Sequence, residues 1–260
     1  MIIGAHPDDC EHSAGGLAAL AARRGWQVRF VAVTSGNAGH QNMKPKALAA
    51  RRLKEAKRAV GRIGASYRNL GEPDGRLFVT DSTTRKVVGT IREFAPDVLV
   101  CPRTCDYHRD HRHTAQLVLD ASFILKVPLA YPEFQAMHEV PVILYSCDFF
   151  TEGPPFHADL PVDIGPVREV YLQMLMDHES QFFEWIPWVD GRHEVTLKNP
   201  LTDRKAVSEF LLRHSRRAAE KYAGALRKKY GRKVLNAEAY QISEYGRRVS
   251  PKELAAIFSF

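Results

Sequence analysis

The stretch MIIGAHPDDCEHSAGGLAALAARRGWQVRFVAVTSGN, residues 1–37, sets the fold in one pass. Met1-Ile2-Ile3-Gly4-Ala5 is short and apolar, as a buried strand is, and the polar cluster His6-Pro7-Asp8-Asp9 follows it directly. The run from Gly15 to Gly25 is rich in Ala and Leu and has helix-forming composition. Arg29-Phe30-Val31-Ala32-Val33-Thr34 returns to an apolar, β-branched pattern before Ser35-Gly36-Asn37. Strand, helix and strand in this order predict two parallel strands joined by a crossing helix.

The alternation continues along the chain. Helices are predicted over Pro45 to Ile63, Thr83 to Phe94 and Thr114 to Leu125, and strands over Asp97 to Cys101 and Val140 to Tyr145. The fold class is therefore α/β, a mainly parallel sheet with helices on both faces. At 260 residues the chain is long enough for one sizeable core, and a single domain over 1–260 is expected.

In such sheets ligands gather beyond the carboxyl ends of the strands. Those positions are unusually polar here: His6-Pro7-Asp8-Asp9 after the first strand, Ser35-Gly36-Asn37-Ala38-Gly39-His40 after the second, and Arg103 through His113 after Cys101. Three polar clusters at one sheet edge predict a pocket. Tyr107-His108-Arg109-Asp110-His111-Arg112-His113 puts three imidazoles and a carboxylate into one segment, and imidazole with carboxylate is the donor set that catalytic zinc accepts. Two His and one Asp leave a coordination position open for water or substrate.

Each group also has an ordinary explanation. His6 alone reads as a satisfied histidine at a strand end, and the Asp8-Asp9 pair as a helix N-cap before Ala14-Gly15-Gly16. Capping does not account for dense clusters at two separate strand ends. His113 lies two positions past His111 and is expected to point elsewhere on the following helix, so it is left out of the ligand set. His40 and His157 are further pocket candidates.

AHPDDCEHSAGG (residues 5–16) resembles the AHPDD-x-E-x(3)-GG signature of the PIG-L or LmbE-like zinc-dependent N-acetylglucosaminyl deacetylases, and YHRDH (residues 107–111) resembles the second, HPDH-type motif of that family. Weaker similarities are Arg52 to Glu55, Leu70-Gly71-Glu72-Pro73-Asp74-Gly75, Val162-Asp163-Ile164 and His178-Glu179-Ser180-Gln181. The resemblance implies a Rossmann-like three-layer sandwich and a zinc hydrolase, other divalent metals being alternatives. It implies removal of the N-acetyl group from an N-acetylglucosamine-type sugar or glycoconjugate. His6, Asp9 and His111 would bind the metal, Asp8 would be the base, and His108, oriented by Asp110, would face the acetyl oxygen. Arg52 and Asp74 would contact the sugar, with Tyr107 as a third candidate.

Other readings of these last three stay open: Arg52 on a solvated helix face or paired with Glu55, Asp74-Gly75 as a plain turn, and Tyr107 packed beneath its loop. The chain departs from the family pattern in three places. It begins almost inside the first strand, Arg109 stands where Pro is common, and Phe182 to Lys233 matches no family pattern, leaving a divergent helical or loop region around 182–233.

Composition sets the surroundings. No segment approaches the apolar length of a membrane span and no export signal is read at the start, so the expected location is cytoplasmic, with the four cysteines reduced. The formal charge of +7 is concentrated between Arg204 and Lys233, which reads as one solvated helix face. No nucleic-acid module accompanies it, which disfavours a nucleic-acid partner. A nucleotide-binding protein of this fold is disfavoured too, because Asp8 and Asp9 would repel a phosphate and no G-x-G-x-x-G or P-loop follows a strand. A non-catalytic sugar-binding protein, or a zinc amidase acting on a non-sugar amide, completes the alternatives. Oligomeric state is not legible.

Overall fold

The computed structural model describes residues 1–191 and 204–260, so residues 192–203 of the divergent region lie outside the described residues. Seven strands form one sheet: β1 (Ile2–Gly4), β2 (Arg29–Thr34), β3 (Ser66–Glu72), β4 (Val98–Cys101), β5 (Val142–Ser146), β6 (Leu160–Asp163) and β7 (Ala237–Ile242). The helices are α1 (Asp9–Arg23), α2 (Pro45–Gly61), α3 (Asp81–Phe94), α4 (Arg109–Ile124), α5 (Arg168–Met176), the short α6 (Ile186–Val189), α7 (Arg204–Leu211), α8 (Arg213–Lys221), α9 (Ala223–Tyr230) and α10 (Pro251–Ile257). The strand order is β3-β2-β1-β4-β5-β7-β6, parallel from β3 through β5, with β7 antiparallel to both neighbours.

Alternation along the parallel strands makes the three layers. Ile2, Phe30, Val100 and Leu144 point to the face covered by α1 and α5, where Leu17, Leu20, Tyr171 and Leu175 pack. Ile3, Val31, Leu99 and Ile143, each one residue away, point to the opposite face, against Val87, Val88 and Ile91 of α3 and Leu117 and Val118 of α4. Both faces of the central strands are buried, which is why these strands read as continuous apolar runs rather than alternating ones. The order reverses between β2-β1 and β4-β5. The loops leaving β1 and β4 therefore diverge, and a crevice opens between them at the topological switch point.

Helix ends follow local chemistry. The capping box of α3 joins the Thr80 hydroxyl to the Thr83 amide and the Thr80 amide to the Thr83 hydroxyl, and Pro45 opens α2 where no amide donor is needed. Helix α1 is kinked at Ala14 (φ −149°, ψ 15°). Its second segment starts at Gly15, and the buried Glu238 carboxylate of β7 accepts the amides of Gly16 and Leu17 at 2.7 Å each. A side chain at Gly16 would meet Ile164 Cγ2 at 2.5 Å, so the glycine pair lets the kinked helix lie against the β6–β7 edge.

Several elements differ from the sequence reading. Strand β3 was not expected, because as the outermost strand it carries the polar run Tyr67-Arg68-Asn69 and is only half-buried. Nor were the edge strand β6 and its neighbour β7, which pair antiparallel across a long helical excursion of the chain rather than through one regular crossover. The basic segment is not one helix: it breaks at Leu212 and Tyr222 into α7, α8 and α9, and buries Leu211, Leu212, Ala218 and Leu226. No helix among the described residues is long and apolar enough to cross a membrane.

Arg92 fixes the far side of the sheet. Its guanidinium, only 5% exposed, donates to the carbonyls of Ile124, Leu125, Val127, Ala130, Tyr131 and Phe134, closing the carboxyl end of α4 and the loop after it. Arg92→Met keeps the stem and removes the donors. It is expected to cost about 3 kcal/mol, since several buried carbonyls lose a charged partner together. A denaturant-unfolding midpoint unchanged from the parent would contradict this.

Candidate metal and active site

The turn after β1 is built on a strained residue. Asp8 has φ 125° and ψ −29°, a region that side-chain-bearing residues rarely occupy, and strain of this kind gathers at functional sites. Asp8 takes the N-cap position of α1 but makes no capping hydrogen bond, so capping does not explain the Asp pair. Arg52 holds the turn in place. Its Nη2 donates to the Pro7 carbonyl (2.6 Å) and to Asp8 Oδ1 (3.1 Å), and its Nη1 donates to the Gly36 carbonyl (3.2 Å). Gly4 allows the close return of the chain, since a Cβ there would lie 2.6 Å from Asp9 Cβ.

The turn after β4 delivers the other side. Asp106 accepts the His108 amide on Oδ1 (2.7 Å) and faces His111 Nδ1 with Oδ2 (3.0 Å), so one carboxylate sets both the loop and the imidazole. Three donor atoms then converge. His6 Nδ1 and Asp9 Oδ2 are 3.3 Å apart, His111 Nε2 and Asp9 Oδ2 are 3.3 Å apart, and His111 Nε2 and His6 Nδ1 are 3.3 Å apart. A tetrahedral ion with bonds of about 2.0 Å separates its ligands by about 3.3 Å, so this triangle has the dimensions of one face of such a site. The residues present fit a zinc-type ion by donor chemistry and by spacing.

The rear atoms of the two imidazoles are held as well. His6 Nε2 faces Asp74 Oδ1 (3.2 Å) and Asp110 Oδ2 (3.3 Å), and His111 Nδ1 faces Asp106, the carboxylate–histidine backing usual for metal ligands. Two alternative trios, His6-His108-His111 and His6-Asp74-Asp110, also bring ligand atoms together. The second uses His6 Nε2 on the inner side, where Asp110 is fully buried, so it reads as support rather than as a second ion site.

Electrostatics agree with a cation-binding centre. Burial opposes protonation of His6 and His111, but the carboxylate of Asp9, aided by Asp74 and Asp110 at His6 and by Asp106 at His111, wins. His6 is raised well above the ordinary histidine range and His111 to about 10. Burial alone would raise Asp9; His111 and His6 instead hold it well below the usual carboxylate value. Asp8 behaves oppositely: burial pushes it up to about 6, against the pull of Arg52, and the neighbouring charge of Asp9 adds to the rise.

His108 caps α4, its Nδ1 accepting the Asp110 amide at 3.1 Å, which leaves Nε2 to carry the proton of a neutral ring. Burial and the charges of His6 and His111 lower its pKa. The Asp110 carboxylate does not orient His108, contrary to expectation. It accepts the amides of Gly75 (2.6 Å) and Leu77 (3.2 Å) and faces His6, because its position on the first turn of α4 directs it inward. His113 turns away to the Leu77 carbonyl, His40 pairs with Glu184, and His157 is exposed before β6.

Arg52 is neither on a solvated face nor paired with Glu55; Arg51 makes that pair. Asp74 accepts the Ala38 and Gly39 amides in addition to facing His6. Both line the cleft while anchoring its wall. Tyr107 is not packed beneath its loop but stands 76% exposed at the mouth, edge-on to His108 and His111. Asp106 and Glu238 escaped the sequence reading. For Asp106 the signal was present as an acidic residue five positions before His111; for Glu238 only the tertiary fold supplies it.

Asp106→Asn is expected to weaken metal binding about 10–100-fold, because the amide cannot supply the negative charge behind His111. Competitive metal titration checks this, and equal affinity would remove Asp106 from that role.

Residues 1–122 match the family described as PIG-L: GlcNAc-PI de-N-acetylase. The diacetylchitobiose deacetylase of Thermococcus kodakarensis is 29% identical over 196 residues, 72% of each chain. Among solved structures, the N,N'-diacetylchitobiose deacetylase of Pyrococcus horikoshii superposes with a TM-score of 0.72 at 22% identity, over 94% of this chain and 83% of that one. The 4-carboxy-2-hydroxymuconate hydratase GalB of Pseudomonas putida KT2440 superposes with a TM-score of 0.74 at 18% identity, over 96% of both. The last two share the fold, and since one of them is a hydratase the fold alone does not name a reaction. The match over residues 1–122 takes in both motifs and every residue of the triangle, so the part of the chain that carries the site is similar to the PIG-L deacetylases.

Proposed function

We propose that this protein is a zinc-dependent N-deacetylase acting on an N-acetylglucosamine-type sugar or glycoconjugate. The observation that carries the reading is the triangle of His6 Nδ1, Asp9 Oδ2 and His111 Nε2, each pair 3.3 Å apart, in the lining of a cleft of about 800 Å³. His6, Asp9 and His111 would hold a zinc-type ion, which would supply a water of near-neutral pKa and polarisation of the acetyl carbonyl.

The chain's own groups do the rest. Asp8 Oδ1 is held by Arg52, and Oδ2, which has no hydrogen-bond partner among the described residues, takes the proton of the attacking water. His108 Nε2–H donates to the acetyl oxygen as negative charge develops on it. Asp8 then returns its proton to the departing amine nitrogen, giving acetate and the free amino sugar. Arg52 and Asp74 keep the wall rigid and contact the sugar through the faces they turn to the cleft, with Tyr107 at the entrance. Asp110 acts through His6 rather than on substrate.

The family match over residues 1–122 favours deacetylation over hydration on this fold, and acetate release decides between them. Zinc-loaded protein is expected to release acetate from N-acetylglucosamine or diacetylchitobiose and to leave unacetylated 2-hydroxydienoates unchanged. Hydration without any acetate release would replace this reading.

A further inference from the structure

The basic segment 204–233 has so far no part in the chemistry, and it lies outside the residues that carry the family match. Helix α8 brings part of it to the cleft. Arg213 and Arg217, one turn apart on the same helix face, line the cavity that contains the His6-Asp9-His111 triangle. A chain of ring contacts ties this wall to the turn after β1. His12, one turn past Asp9, meets the tilted ring of His214 with centroids 4.6 Å apart; His214 meets Phe149 at 5.2 Å; and the Arg217 guanidinium lies 4.0 Å from the centroid of Phe149. The guanidinium is placed by a ring rather than by an acid.

Neither Arg213 nor Arg217 has a carboxylate within ion-pairing distance among the described residues. The acid beside this wall, Asp148, is taken by Arg103 through two bonds of 2.6 and 2.7 Å. Burial lowers the pKa of His214 to about 3, so the ring is neutral and adds no charge of its own. The cavity wall thus joins the carboxylates and donor triangle of the β1 and β4 turns to two guanidiniums of α8 that have no carboxylate partner among the described residues. Guanidinium is the group best shaped to grip a carboxylate or phosphate by paired hydrogen bonds.

We propose that Arg213 and Arg217 form an anion subsite, so that the physiological substrate is an acetylated amino sugar whose substituent carries a carboxylate or phosphate. This rests on the deacetylase reading for the sugar end only. The anionic substituent lies against α8 while the acetamido group reaches the triangle, and the opposed charges of the carboxylates and the guanidiniums align the substrate before chemistry.

The test uses three glycosides that differ only at the anomeric oxygen: N-acetylglucosamine 1-phosphate, the carboxymethyl glycoside and the methyl glycoside. Binding to the zinc-loaded protein is measured by calorimetry, and acetate release is measured in parallel, for wild type and Arg213→Gln/Arg217→Gln. One or both anionic glycosides are expected to bind about tenfold more tightly than the methyl glycoside. The double variant should lose that preference and keep its affinity for the methyl glycoside, with a thermal midpoint equal to wild type. The arm that shows the preference distinguishes phosphate from carboxylate. Equal binding of all three glycosides by wild type, or a preference that survives in the variant, overturns the subsite whether or not acetate appears. Absence of acetate from all three, with the anion preference present and lost in the variant, overturns the deacetylase reading and leaves the subsite standing.

Discussion

Asp8→Asn is expected to reduce acetate release about 10²–10⁴-fold while zinc content stays at the wild-type level. Asp8 is not a vertex of the triangle, so removing its charge leaves His6 Nδ1, Asp9 Oδ2 and His111 Nε2 in place. Arg52 retains its bonds to the Pro7 and Gly36 carbonyls and can still donate to an amide oxygen at position 8, so the strained turn keeps its anchor. What is lost is the carboxylate oxygen that accepts a proton. The environment suits that task, since burial raises Asp8 to about 6, close to neutrality, where a base both accepts and returns a proton efficiently. Single-turnover rates with metal content determined on the same sample check the expectation. Near-wild-type rates in a zinc-replete Asp8→Asn would remove Asp8 as the base.

His111→Ala is expected to have the larger effect on metal and a comparable one on rate: zinc falls well below one per chain after dialysis, and acetate release drops about 10³-fold or more. The triangle needs three vertices, and His6 with Asp9 alone hold a divalent ion loosely. Losing a metal that lowers the barrier by about 4 kcal/mol costs about three powers of ten in rate. The mutation also frees Asp106, which then retains only the His108 amide on its other oxygen. Elemental analysis after dialysis, followed by assay with excess zinc, separates lost affinity from lost chemistry. A variant that retains one zinc per chain would place the ion elsewhere.

The central strands and the residues of the triangle were legible because burial on both faces demands unbroken apolar runs, and because polar groups at the ends of β1 and β4 have no structural reason to cluster. The edge was not. Strand β3 has solvent on one side and admits Arg68 and Asn69, and β7 comes after three helices that hide its pairing with β5 and β6. Helix α1 starts six residues before its Ala-rich run because the strained Asp8 turn, not residue propensity, begins it.

Within the site, residue types were legible and their partners were not. Asp110 adjoins His108 and His111 in sequence, yet its carboxylate supports His6, 104 residues away. Arg52 looked like one of several helix cations, and only the fold reveals that its guanidinium is buried under the Asp8 turn while Arg51 takes the pair with the buried Glu55. Such partnerships depend on which way a side chain leaves its element, and sequence spacing alone does not fix that.

Zinc titration of metal-stripped protein, followed by acetate release from diacetylchitobiose, is the most direct measurement of the central claim. Release should be absent without metal, rise in proportion to added zinc and level off at one equivalent per chain. Release from the stripped protein, or none at any zinc level despite stoichiometric binding, would contradict it.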